Sequence, residues 1–193
     1  MFDEINNYAT RCNTFTAEEL VIFNDLLEER LVPKKTYLLQ EGEICNFEAY
    51  VVKGCVRTYY IDENGFEVIL QFAIEDWWFS DIASFYEQKP SKLFIETLEE
   101  SRLLTFNPET KDELLNRVPK FERVFRLMLQ RSLAATQNRL INTISKTAQE
   151  KYLDFIERYP TIPQRVPQHY IAAYLGISPE FLSKVRTKLS KQK

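Results

Sequence analysis

The feature that most limits the fold of this chain is a change of hydrophobic period close to Phe106. Before that residue, apolar and β-branched residues alternate with polar ones, as is typical of strands. After it, apolar residues recur every three or four positions, as is typical of amphipathic helices. A run of strands followed by a run of helices predicts an α+β chain whose two kinds of element are segregated.

The clearest strand signal is a hairpin. Two segments with period two, residues 56–61 and 66–72, flank Asp62-Glu63-Asn64-Gly65, and Asn-Gly is the strongest short hairpin signal. The strand region begins near Tyr37. Further short apolar runs lie at residues 77–79, 93–95 and 103–106. Many short strands separated by turns predict an antiparallel sandwich or barrel.

A helix is predicted before the strands. Thr16-Ala17-Glu18-Glu19 has the form of a capping box, which marks a helix N-terminus. The apolar residues behind it share one helical face: Leu20, Phe23, Leu27 and Leu31. Because Pro33 cannot continue a helix, we expect this helix to end near Val32.

A long helix is predicted after the strands. Asn107-Pro108 can begin one helix, and Pro119 can begin another that continues to about Ser145. Its apolar residues cover more than one face, whereas a helix lying on a single domain shows one stripe. We therefore expect a second copy of the chain to cover one face, although a helix buried within the monomer is the alternative. The residues assigned to the dimer surface are Phe121, Val124, Phe125, Met128 and Ala135.

The segment from Gln168 to Val185 has the residue pattern of a helix-turn-helix, and follows a further capping box that begins at Thr147. Ala172 is small where two helices would cross, and Gly176 can adopt the left-handed conformation that ends the first. Ser178 and Pro179 suit the N-cap and first position of the second helix. Its buried stripe would be Leu182, Val185 and Leu189. An ordinary helical hairpin is the alternative.

The remaining residues of this segment carry groups that can contact DNA. Glu180 could accept a hydrogen bond from a cytosine amino group, and Lys184 could reach a guanine. Basic residues up to Lys191 and Lys193 would add salt-dependent affinity for phosphates. The residues expected to contact DNA are Gln168, His169, Ser178, Pro179, Glu180, Ser183, Lys184, Arg186, Thr187 and Lys188.

Charge supports a division of the chain into two functional parts. Residues 1–110 contain 9 Lys and Arg against 21 Asp and Glu, a net charge of −12. Residues 111–193 contain 16 against 7, a net charge of +9. A basic half favours a polyanionic partner, of which nucleic acid is the usual one. Solvated helix surfaces rich in lysine and arginine are the alternative.

The composition disfavours catalysis and metal binding. The 3 cysteines and 1 histidine are too few and too scattered for common zinc or iron–sulfur sites. The common glycine-rich phosphate loops are absent from the sequence. We therefore expect that the protein is not an enzyme and that it binds neither a metal nor a resident cofactor. The odd cysteine count, the lack of a secretory signal and the lack of a long apolar run predict a cytoplasmic protein without a membrane partner.

The order of these features resembles the Crp–Fnr family of bacterial transcription regulators. Four segments carry the resemblance: residues 39–43, 52–57, 62–65 and 78–85. The resemblance implies a jelly-roll of the cyclic-nucleotide-binding type at residues 1–118, a dimerisation helix at 119–145 and a DNA-binding helix-turn-helix at 146–193. It also implies that a homodimer reads half-sites about 34 Å apart, with RNA polymerase as a further partner.

The chain departs from that family at the effector pocket and at its end. Where nucleotide-binding members hold phosphate with glycine-glutamate and arginine, this chain has Ser80-Asp81, followed by Ile82, and Ser91-Lys92. Lysine offers only a point charge, so cyclic AMP is not the expected effector, and an unidentified small molecule is the alternative. Because only residues 190–193 follow the second helix, the wing of the helix-turn-helix should be short or absent.

The sequence therefore predicts a dimeric DNA-binding regulator. Two other functions are weighed against it. A small-ligand-binding or cupin-like jelly-roll protein is one, but cupin chemistry needs a His/Glu metal cluster and the strand region contains no histidine. The other is a protein–protein adaptor whose helix-turn-helix no longer binds DNA.

Overall fold

The computed structural model of the chain describes residues 2–190. The strands in that range are β1 (Glu28–Val32), β2 (Tyr37–Leu39), β3 (Glu48–Lys53), β4 (Val56–Ile61), β5 (Glu67–Ala73), β6 (Trp78–Phe79), β7 (Phe94–Thr97) and β8 (Ser101–Phe106). The helices are α1 (Asp3–Thr10), α2 (Ala17–Asp25), α3 (Ile82–Glu87), α4 (Pro108–Arg117), α5 (Phe121–Ser145), α6 (Ala148–Arg158), α7 (Ile162–Arg165), α8 (Gln168–Leu175) and α9 (Pro179–Ser190).

The strands form two four-stranded sheets, in the orders β1-β8-β3-β6 and β2-β7-β4-β5. Neighbours such as β1 and β8, β3 and β8, and β2 and β7 run antiparallel. One apolar cluster joins the two sheets, with Val51 and Leu103 from the first and Val56 and Ile95 from the second. The predicted α+β class and antiparallel jelly-roll are confirmed.

Gly54 permits the tight turn from β3 to β4. Its φ of +115° is unfavourable for any residue with a side chain. A Cβ placed on it would lie 2.8 Å from Ser101 Cα, which is closer than real Cβ atoms approach. The turn therefore requires glycine for two independent reasons.

A second apolar cluster lies between the first sheet and the helices around it. Tyr50 of β3 and Phe106 of β8 contribute to it, together with residues of α1, α2, α4 and the start of α5. Phe121 of α5 stacks on Phe23 of α2, with their ring centroids 4.3 Å apart. The first turns of the long helix are thus part of the core that covers the jelly-roll.

The expectation that the helix beginning at Thr16 continues to Val32 is wrong. The capping box at Thr16 is present, but α2 ends at Asp25. Residues 28–32 form β1, in which Glu28 pairs with Thr105 and Val32 with Ser101. Pairing with a distant strand outweighs the local helical pattern.

The described chain divides into two compact units. One comprises the chain up to Thr58 together with Phe72–Arg131, and the other comprises Tyr59–Gln71 together with the chain from Ser132 onward. The division falls within β4, β5 and α5 rather than at the expected domain boundaries after residues 118 and 145. The β4–β5 hairpin tip therefore belongs to the same unit as the C-terminal helices.

Within the second unit, Arg139 joins the hairpin to α8. Its guanidinium donates to the carbonyl oxygens of Ile69 at 2.6 Å, of Leu70, and of Tyr174 at 3.1 Å. It also lies 4.2 Å from the centroid of the Tyr174 ring. Burial lowers the pKa of Arg139 from its ordinary value. Main-chain carbonyls from two elements therefore hold this cation in place.

Candidate nucleic-acid interface and effector cassette

The turn between α8 and α9 has the geometry that the sequence predicts. Gly176 has φ +67° and ends α8 in the left-handed conformation. The Gly176 and Ile177 amides both donate to the carbonyl of Ala172, the latter at 3.1 Å. These bonds satisfy a carbonyl group that the end of a helix leaves without a partner.

The start of α9 is fixed by its cap. The Ser178 hydroxyl accepts a hydrogen bond from the Phe181 amide at 3.2 Å, and Pro179 takes the first helical position. Leu182 is 0% exposed and Val185 is 7% exposed, while Leu189 is half-buried. The predicted inner stripe of this helix is therefore confirmed at Leu182 and Val185.

The opposite side of α9 is open to solvent. We define the reading face as its exposed residues: Pro179, Glu180, Phe181, Ser183, Lys184, Thr187 and Lys188. Six of these were expected to contact DNA, as were Ser178, Gln168 and His169, which are also exposed. Arg186 is half-buried, and Lys191 and Lys193 lie outside the described residues.

Glu180 is held in its charged form. Hydrogen bonds from its own backbone amide and from the Ser178 hydroxyl lower its pKa, and the charge of Lys184 lowers it further. An ionised carboxylate can only accept hydrogen bonds. Glu180 is therefore suited to a base edge that donates one, such as the amino group of cytosine.

The effector cassette, which we define as residues 80–92, has its polar groups bonded to each other. Asp81 is buried and caps α3, because its Oδ1 accepts from the Ser84 amide at 3.2 Å. Its Oδ2 accepts from the Ser91 hydroxyl at 2.6 Å. Ser80 donates to the Phe47 carbonyl at 2.8 Å. The structure thus brings Asp81 and Ser91 together, whereas Ser80 is hydrogen-bonded to the main chain outside the cassette.

The other two expected pocket residues, Ile82 and Lys92, are exposed. Consequently the buried charge at the start of α3 is the negative one of Asp81 rather than the positive one of Lys92. A helix N-terminus attracts anions, but here a carboxylate of the chain already takes that position.

A buried ion pair next to the cassette was not found from the sequence. Lys111 of α4 pairs with Glu48 of β3 and donates to the Tyr86 hydroxyl of α3 at 2.6 Å. Its ammonium group also lies 4.4 Å from the ring centroid of Phe125 in α5. Because Lys111 and Glu48 are 63 residues apart, no local pattern could indicate their contact.

The residues assigned to the dimer surface need correction. Phe121, Val124, Phe125 and Met128 are buried in the core of their own unit, and Ala135 is half-buried. Helical periodicity identifies apolar faces but does not say which of them packs on the same domain. The exposed apolar residues of α5 lie further along: Leu129, Leu133, Leu140, Ile141 and Ile144.

Among residues 2–190, no group of three or more His, Cys, Asp or Glu side chains is placed to hold a metal ion. No helix in the same range has the length and apolar character to cross a bilayer. Cys12, Cys45 and Cys55 are buried free thiols.

Comparison with protein families supports the resemblance seen in the sequence. The family model of the cyclic nucleotide-binding domain matches residues 29–118, which extend from β1 to the end of α4. No curated protein is similar enough in sequence to count as a match.

Solved structures extend the likeness to most of the chain. The c-di-GMP-responsive global regulator CLP of Xanthomonas campestris has TM-score 0.75 and 17% identity, covering 92% of this chain and 93% of that one. The catabolite activator protein of Thermus thermophilus has TM-score 0.57 and 20% identity, covering 92% and 85%. A protein of Eubacterium rectale assigned to the Crp/Fnr family has TM-score 0.72 and 16% identity, covering 96% and 88%. These values establish a shared fold.

Proposed function

Since residues 29–118 form a domain of the cyclic nucleotide-binding family and the chain has the fold of Crp/Fnr transcription regulators, we propose that it is a sequence-specific DNA-binding regulator. It acts by binding duplex DNA in the cytoplasm and has no catalytic role. RNA polymerase is the partner through which it would act on transcription.

The observation that carries this proposal is the reading face of α9. Glu180, Ser183, Lys184 and Thr187 are exposed on the second helix of a helix-turn-helix whose inner residues are buried. The surrounding half of the chain has a net charge of +9. Positive charge supplies affinity for phosphates, and the polar side chains supply contacts to base edges.

Dimerisation would come from the exposed apolar part of α5. Leu133 and Leu140 are both 60% exposed and stand seven residues apart, the spacing of a two-helix seam. Ile144 extends the same region and is 77% exposed. Two copies joined along this surface would present two copies of α9 to successive turns of a near-palindromic operator.

The cassette argues against cyclic AMP as the effector. Ser91 stands where the resemblance expects an arginine and is no substitute for a guanidinium, and its hydroxyl already donates to Asp81. The regulator therefore either responds to another small molecule or binds its operator without one.

The deciding experiment is a selection of bound duplexes from a random pool, followed by titration of the selected duplex at several salt concentrations. We expect a two-fold symmetric sequence and an affinity that falls steeply with salt. Lys184→Glu should abolish binding of that duplex, whereas Lys53→Glu makes the same charge change on an exposed strand residue and should not. Absence of binding at low salt would favour the adaptor function instead.

A further inference from the structure

One apolar side chain stands out on the reading face. Phe181 is 49% exposed, whereas the apolar stripe that packs α9 onto its own unit contains the buried Leu182 and Val185. Apart from Pro179, every other residue of the reading face is polar or charged. About half of Phe181 is therefore open to solvent, beside the stripe that packs α9 onto its own unit.

The placement of Phe181 is well defined. Its amide is tied to the Ser178 hydroxyl in the N-cap, which fixes the first turn of α9. At 100° per residue, Phe181 lies on the same side of the helix as Lys184 and Lys188. It therefore borders the edge along which Glu180 and Lys184 would meet bases.

We propose that Phe181 determines specificity by packing against the 5-methyl group of a thymine in the major groove. The proposal rests on the proposed function and adds one base preference to it. The thymine methyl is the apolar group that base pairs present in that groove, and phenylalanine is among the side chains that contact it. Lys184 and Glu180 cannot supply this contact, because their end groups are charged.

The same ring could instead lie on a deoxyribose, where it would add affinity without sequence preference. The two contacts differ in how binding responds when thymine is replaced by uracil. Packing on the methyl is lost when thymine is replaced by uracil, which removes that methyl and nothing else. Packing on the sugar is unaffected by the replacement.

The test uses the full-length protein and its selected operator, with deoxyuridine replacing thymine at one position at a time. At one symmetry-related pair of positions we expect about fourfold weaker binding per methyl, as burial of one such group predicts. Phe181→Ala should bind thymine and uracil equally there. Leu153→Ala, which truncates an exposed apolar residue of α6, should keep the wild-type ratio.

Two further variants keep the result decisive if Phe181→Ala binds too weakly to measure. Phe181→Leu retains an apolar surface and should retain part of the thymine preference, whereas Phe181→Gln is polar and should lose it. An unchanged thymine-to-uracil ratio in Phe181→Gln, or no uracil-sensitive position in the wild type, would overturn the proposal. Failure of the wild type to bind any duplex would instead overturn the proposed function.

Discussion

Two carboxylates stand at the beginnings of two helices in this molecule and are used in opposite ways. Asp81 caps α3 in the cassette and is buried, with one oxygen on the Ser84 amide and the other on the Ser91 hydroxyl. Glu180 stands in the first turn of α9 and is exposed on the reading face. Carboxylates near the starts of two helices thus face the interior in one unit and solvent in the other.

The difference shows that a carboxylate at a helix start can either satisfy the fold or remain available to a partner. In the cassette, the chain's own donors occupy both oxygens of the acid, so the site is satisfied without a ligand. On α9, the Glu180 carboxylate also accepts from its own amide and from Ser178, but it is exposed, so surrounding water can be exchanged for a base edge. The carboxylate on α9 is therefore available to a partner, whereas the carboxylate of the cassette is used internally.

The largest expected effect concerns stability in the cassette. Asp81→Ala removes the N-cap of α3, which costs about 1 kcal/mol, and leaves the buried Ser91 hydroxyl only the long contact to the Leu93 carbonyl, which costs about 1–3 kcal/mol more. We expect the free energy of unfolding to fall by about 2–4 kcal/mol in a urea titration. Glu180→Ala should leave the unfolding midpoint where it is, because that carboxylate is exposed.

Glu87→Ala is the matched control for the first variant, since it removes an exposed acid from the same short helix. It should behave like the Glu180 variant. Equal losses from Asp81→Ala and Glu180→Ala would remove the distinction between an internal and an external carboxylate.

A smaller effect is expected on DNA affinity and base preference when either of two lysines of the reading face is replaced. Lys184, four residues after Glu180, is expected to contact a base, and Lys188, one turn later, a phosphate. Lys184→Ala should relax the preference at one base pair, with about a tenfold loss on the selected operator and less on others. Lys188→Ala should weaken all duplexes alike and reduce the salt slope by about one. Parallel losses from both variants on every sequence would contradict the reading role of Lys184.

The helix-turn-helix could be predicted from the sequence because its signals are local. The cap at Ser178, the left-handed Gly176 and the buried Leu182 all lie within a few residues of one another. Each residue reflects the conformation of its own short segment, so the pattern needs no knowledge of distant contacts.

The errors of sequence analysis all involve contacts between distant residues. Residues 28–32 have a helical pattern but become a strand because they pair with residues 101–105. Phe121 and Phe125 have the period of a free apolar face but are covered by the core of their own unit. The resemblance placed Asp81 and Ser91 in one pocket, and the fold does bring them together, but nothing in the sequence indicated that they would hydrogen-bond to each other.

The smallest expected effect is the response to cyclic AMP, which should be none. A ligand at one hundred times its Kd stabilises a protein by about 2.7 kcal/mol, and a chain of this size gains about 2–4 °C in Tm per kcal/mol. A cyclic AMP-binding protein would therefore melt roughly 5–10 °C higher with saturating ligand. Here Ser91 stands where the resemblance expects an arginine, so no guanidinium is available to a phosphate, and Tm should shift by less than about 1 °C, the same for wild type and Ser91→Ala. A shift of several degrees in the wild type would mean that the bond between Asp81 and Ser91 opens for a ligand, and the contrast between a closed cassette and an open reading face would then fail.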